Sequence, residues 1–104
     1  MIRKENRMAI ANIKMTLLCP IEQVWNKVTD LADIQVIGEN KYVSISKNEI
    51  ETYFTVTERI ENQSWIFNIE NENMKGIWTG KFYSHGDKTT LDFTETIVAK
   101  KTII

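Results

Sequence analysis

The chain has 104 residues, with 13 lysines and arginines against 14 aspartates and glutamates and a formal net charge of -1. That length supports one domain burying roughly two-thirds of its unfolded surface, and no second domain. The near-neutral balance gives no long-range attraction to nucleic acid or an anionic membrane, Cys19 as the single cysteine rules out an intramolecular disulfide, and no run of about 18 apolar residues offers a span.

No four thiol or imidazole ligands stand at a structural zinc spacing, so neither a metal nor a cofactor is expected. The lone cysteine and the absence of a secretory segment point to a cytoplasmic protein. Residues 1–8 read as a charged N-terminal extension, with Met8 an alternative start, and residues 9–104 as the domain.

Ala9 to Leu18 carries Ile13, Met15 and Leu17 at period two and reads as a first strand. Cys19-Pro20 breaks it, and Pro20 suits the first turn of a helix. Ile21, Val24, Trp25, Val28 and Leu31 then recur at three- and four-residue spacing, which predicts an amphipathic helix over Pro20 to Asp30, about three turns long. Ala32 to Ile37 and Tyr42 to Ser46 form a hairpin about Gly38-Glu39-Asn40. Ile50 to Ile60 places Phe54, Val56, Glu58 and Ile60 in one phase, and Ser64 to Glu70 carries Trp65, Phe67 and Ile69.

Met74 to Ile97 is the stretch around which the rest is organised. Met74, Gly76, Trp78, Gly80 and Phe82 fall on one side, His85-Gly86-Asp87-Lys88 is a turn, and Thr90 to Val98 resumes the alternation with Leu91, Phe93 and Ile97. Gly76 and Gly80 leave gaps in the apolar face, where something is expected to lie against it. The order predicts an α+β fold: a curved seven-stranded antiparallel sheet with one short N-terminal helix and no long C-terminal helix. A helix of roughly 16 Å cannot cover such a sheet. An apolar trough remains.

Pro20-Ile21-Glu22-Gln23-Val24-Trp25, Thr29-Asp30-Leu31, and Met74-Lys75-Gly76-Ile77-Trp78-Thr79-Gly80-Lys81-Phe82 with Thr89 to Thr96 behind it resemble the START-like, helix-grip superfamily labelled SRPBCC, over Ala9 to Val98. That superfamily includes polyketide cyclases, lipid-transfer domains and the birch-pollen allergen group. The resemblance implies a ligand cavity between sheet and helices. Two departures stand out: the second helical segment is missing after Leu31, and no long terminal helix follows Ile97. Either the sequence is cut short or a partner subunit closes the open face, and self-association through that face is expected, since monomers rarely expose so large an apolar patch.

Glu58 and Glu95 are the carboxylates in phase with apolar faces. They are candidates for hydrogen-bonding a ligand or moving a proton in an aldol-type cyclisation. The plainer alternative is that strand ends or a bulge turn them outward, as charges are rarely buried unpaired. Arg59 is then expected on the outward side, though within reach of a neighbouring strand. His85, the only histidine, has a pKa suited to proton transfer, but its setting is a hairpin tip, where a turn role is expected. Cys19 lacks a neighbouring base and reads as a small core residue. The tryptophans serve core packing more simply than a stacking platform, and without a basic stripe they are no nucleic-acid signature.

The favoured expectation is a non-catalytic binder of a small hydrophobic molecule, contacted by Met15, Phe54, Trp65, Phe67, Trp78, Phe82 and Phe93. The alternatives are a cyclase or aromatase acting through Glu58 or Glu95, and a protein-interaction module of the chaperone-activator type.

Overall fold

The computed structural model describes residues 8–31 and 34–100. Its strands are β1 (Met8–Leu17), β2 (Gln35–Gly38), β3 (Lys41–Ile45), β4 (Glu51–Ile60), β5 (Ser64–Glu70), β6 (Met74–His85) and β7 (Lys88–Ala99), with α1 (Ile21–Val28) between β1 and β2. All seven form one antiparallel sheet in the order β1-β7-β6-β5-β4-β3-β2. β2 to β7 are a meander of hairpins, and β1 returns to pair with β7 from Met8↔Val98 to Leu17↔Thr89. The turns are short. Asn40 and Asn62 hold positive φ of 58° and 62° in two of them, a conformation asparagine tolerates better than most side chains.

Residues directly opposite one another in an antiparallel ladder share a face, so the register fixes what meets what. On the side that carries α1, Phe82 opposes Leu91, Trp65 lies in a row with Gly80 and Phe93, and Val56 lies in a row with Phe67, Trp78 and Glu95. Ile21, Val24 and Trp25 of α1 pack on Trp65, Phe82 and Leu91 to form the core. Trp25 meets Phe82 edge-on with centroids 5.0 Å apart. The ladder of the last hairpin thus makes the floor, and the stripe on α1 makes the lid over one end of it.

The helix is shorter than the apolar spacing predicts. Pro20 is its N-cap, with extended backbone at φ -61° and ψ 152°, rather than its first turn. At the other end Thr29 donates both its backbone N–H, at 2.9 Å, and its hydroxyl, at 2.8 Å, to the Trp25 carbonyl, which closes the helix there. The strand expected over 32–37 begins at Gln35; residues 32 and 33 lie outside the described residues, as do 1–7 of the expected extension. Met8 is the first residue of β1. Thr89, fully buried, donates its hydroxyl to the Cys19 carbonyl at 2.7 Å, which ties the β1–α1 corner to β7. Among the described residues α1 is the only helix, and none is long and apolar enough to cross a membrane.

Candidate functional site

Seven rings make a continuous cluster on the helix side. Phe67 stacks on Trp78 at 5.0 Å with planes 15° apart, Trp78 leans on Phe93 at 4.8 Å, and Phe93 meets Phe82 at 5.5 Å. Trp65 touches Phe67 at 5.1 Å, and Phe54 meets Phe67 edge-on at 5.8 Å. Offset and edge-on contacts of this kind are the favoured geometries for aromatic quadrupoles.

The gaps expected at the two glycines are already filled by the chain itself. A Cβ on Gly80 would stand 2.6 Å from two carbons of the Trp78 ring, and one on Gly76 would stand 2.4 Å from the Thr96 carbonyl oxygen. Gly80 is there to let the indole lie on the strand, and Gly76 to let β7 come close. Neither position is a vacancy for a ligand.

A vacancy does exist beside the cluster, under the C-terminal end of α1. It is a pocket of about 240 Å³ walled by Val28, Leu31 and Ile34 above, Tyr42, Phe54, Val56, Trp65 and Phe67 of the sheet below, and Asp30. The helix closes at Thr29 while the apolar stripe continues to Leu31, so side chains from the end of the helix overhang β3 to β5. Trp65 is 5% exposed, and its indole Nε1 is buried with no hydrogen-bond partner among the described residues. A second hollow of about 260 Å³ lies on the other flank of α1, walled by Leu17, Cys19, Gln23, Val24, Lys27 and Val28. Wider hollows elsewhere, about 530 Å³ near Glu49 to Glu51 with Glu70 and Lys100, and about 790 Å³ from Glu58 to His85, are lined with charged side chains.

Of the expected ligand contacts, Phe54, Trp65 and Phe67 come together in the pocket. Trp78 and Phe93 back them through ring contacts, while Phe82, 4% exposed, lies beneath the helix. Met15 shares a face with Leu91 but lies on the edge strand, 46% exposed.

The two carboxylates part company. Val56 pairs with Phe67 but Glu58 pairs with Ile66, so a bulge between them gives β4 an extra residue and reverses its phase. Glu58 therefore leaves the face of Phe54 and Val56 and lies on the opposite side, where Ser64 Oγ donates to it at 2.6 Å and Lys81 Nζ stands 3.9 Å away. The same reversal corrects the expectation for Arg59, which shares a row with Trp65 on the helix side and holds its guanidinium carbon 5.8 Å from the centre of the Trp25 ring. Glu95, opposite Trp78, stays on the helix side, half-buried, and is not among the residues that line the pocket.

His85 is exposed at the tip before the Gly86-Asp87 turn. Cys19 is partly buried against the core. Among the described residues no group of three histidines, cysteines or carboxylates could hold a metal ion. Val28, Asp30, Leu31, Ile34, Tyr42 and Val56 line the pocket without being among the ligand contacts expected from the sequence. The one available signal is an apolar stripe that outruns its helix.

A curved antiparallel sheet in this strand order, with a short helix after the first strand, has the helix-grip arrangement expected from the sequence, without a long C-terminal helix among the described residues. No protein-family model matches the sequence, and no curated protein is similar to it by sequence. Solved structures are similar in fold. The Mll3558 protein from Rhizobium loti superposes with a TM-score of 0.78 at 14% identity, over 93% of this chain and 83% of that one. The Zhui aromatase/cyclase from Streptomyces sp. R1128 gives 0.68 at 13% identity, over 91% and 70%. The Aha1 dimer from Colwellia psychrerythraea gives 0.63 at 15% identity, over 83% and 74%. At such identities the likeness is one of fold.

Proposed function

We propose that the chain is a cytoplasmic binder of a small, largely apolar molecule, held in the pocket beneath the end of α1. The supporting observation is the pocket itself, a space of about 240 Å³ whose walls are almost wholly aliphatic and aromatic. Size narrows the ligand. An apolar cavity of about 150 Å³ takes up benzene, and pockets for drug-sized molecules run from roughly 300 to 1,000 Å³. The pocket therefore suits one ring with a short substituent, and is too small for an acyl chain or a multi-ring polyketide.

Size also weighs against the cyclase alternative, as does the separation of the carboxylates: with Glu58 on the other side of the sheet, Glu95 alone is left on the helix side, away from the pocket wall. The test is thermal unfolding with a panel of one-ring compounds. A ligand raises the melting temperature with the logarithm of its concentration, and the proposal fails if no member does so at millimolar levels.

A second reading, self-association through the part of the helix-side face that α1 leaves bare, is favoured by Ile13 and Met15, exposed by 57% and 46%. They stand opposite Phe93 and Leu91 at the sheet's edge. A partner of the chaperone-activator kind would use the same surface. Sedimentation over a range of concentrations tests it, and a mass that stays monomeric at high concentration rejects the self-associated form.

A further inference from the structure

We propose that the free edge of β1 takes a second copy of this chain, the two β1 strands pairing antiparallel about a two-fold axis at Ile13 so that the two sheets run on as one. The inference goes beyond the ligand binding proposed above and does not depend on it. It differs also from association through the helix-side face, because backbone hydrogen bonds rather than stacked side chains hold the copies together.

The sheet ends in two unlike edges. β2 is short, four residues from Gln35 to Gly38, and its pairing with β3 shifts register between Val36 and Gly38. Short, irregular edges of this kind discourage further pairing. β1 has neither protection. It pairs with β7 in unbroken register from Met8 to Leu17, and no described strand lies on its other side. Its sequence, MAIANIKMTL, holds no proline or glycine and a single charge, Lys14. Every residue from Met8 to Thr16 is exposed, Ile10 by 66% and Ile13 by 57%. Alternate residues along roughly 30 Å of strand thus turn their N–H and C=O groups away from the sheet. A long, straight, apolar edge is a template for another strand.

The strand that fits it best is its own copy. Two-fold antiparallel pairing sets residues of one face opposite residues of the same face. With the axis at Ile13, Met15 stands opposite Ala11 of the partner subunit and Leu17 opposite Ala9 of the partner subunit, so each large side chain on the helix side faces a small one. On the other side Lys14 meets Asn12 of the partner subunit and keeps Asp92 as its neighbour on β7. An axis at Lys14 would set two like charges directly opposite, which is destabilising, and one at Asn12 would set Lys14 against Ile10 with no polar group to meet. Pairing about Ile13 uses up both β1 edges and leaves the short β2 edges outermost, so association stops at two.

Sedimentation of the full chain should show a reversible monomer–dimer equilibrium that goes no further. In amide exchange followed by NMR, the β1 amides that do not pair with β7 should be protected only at concentrations where the dimer forms. In a Cys19→Ser background, Ile13→Cys should cross-link two copies on mild oxidation, because opposed Cα atoms lie about 4.5–5.5 Å apart, within the reach of a disulfide. Met15→Cys, which the axis sets apart, should not. Ile13→Lys should weaken the dimer at least about fivefold and leave the far-ultraviolet dichroism unchanged. A chain that stays monomeric at high concentration overturns the proposal, whether its β1 amides exchange fast, from a bare edge, or slowly, from one covered by the chain itself. A dimer whose β1 amides remain unprotected overturns it in favour of contact through the helix-side face. Cross-linking through Met15→Cys and not Ile13→Cys overturns the axis at Ile13, as does an Ile13→Lys dimer of parental strength. Ligand binding stands or falls separately, on the melting-temperature shifts.

Discussion

The indole of Trp78 lies across Gly80, so close that a Cβ at that position would stand 2.6 Å from two of its ring carbons and 3.3 Å from Phe93. The ring has no easy escape, because Phe67, Trp65 and Phe93 hold it on three sides. Gly80→Ala is therefore expected to destabilise the fold by about 1–3 kcal/mol, as overpacking of a tight core does. Gly38→Ala, where a Cβ meets nothing nearer than 3.8 Å, should stay within about 0.5 kcal/mol of the parent. Urea unfolding of the two variants checks the contrast, and near-ultraviolet dichroism should register the displaced tryptophan in the first alone.

Thr89 is fully buried and its hydroxyl supplies the Cys19 carbonyl with a hydrogen bond of 2.7 Å. Thr89→Val keeps the shape and deletes the donor, which leaves that carbonyl without this bond. A loss of about 1–2 kcal/mol is expected, while Thr90→Val, next along the strand and half-buried, should cost less. Equal effects in equilibrium unfolding would deny the bond its role at the corner.

Val56→Phe should occupy the ligand pocket with the chain's own ring. Val56 is half-buried and lines the space of about 240 Å³, so the added ring has room and the fold should keep its stability to within about 1.5 kcal/mol. The melting-temperature rise produced by one-ring compounds should then vanish. A variant that still responds fully would place the bound molecule elsewhere.

Glu70 titrates below its ordinary value of 4.5, first because Lys100 hydrogen-bonds its carboxylate and then because of the charges of Lys100 and Lys75. The Lys100 Nζ to Glu70 Oε2 distance is 2.7 Å. The folded form favours the ionised acid, so the contribution to stability is complete above the unfolded value and is lost as pH falls through the lowered folded one. Both side chains meet solvent, so the effect is small and weakened by salt. Lys100→Met should raise the titration midpoint of the Glu70 carboxyl carbon measured by NMR. A midpoint that does not move would mean the pair is not formed in solution.

Seven strands and one helix were legible because this chain punctuates itself. Asn62 and Gly86-Asp87 sit in its turns, and the alternation through Trp65, Phe67 and Ile69 and again through Trp78 to Phe82 survives unbroken in the ladder. The sides taken by Glu58 and Arg59 were not legible in the same way. Glu51 to Ile60 alternates smoothly in sequence, with no glycine or proline to announce a bulge, and the reversal appears only when Val56 and Glu58 meet consecutive partners Phe67 and Ile66. Phe54, Trp65 and Phe67 were expected at the site from their phase. The pocket that gathers them was not, because it depends on where Thr29 stops the helix and on the rotamer of one indole.

The pairing of β1 with the last strand of the meander sets an order of events. Cys19 and Thr89 are 70 positions apart, whereas the hairpins from β2 to β7 join neighbours. β1 and α1 are made long before the strands they pack on, so Trp25, 2% exposed in the folded protein, stays uncovered until β5 to β7 follow. Closing so long a loop is slow compared with zipping local hairpins. β1 and α1 are thus expected to be the last part of the fold to lock into place.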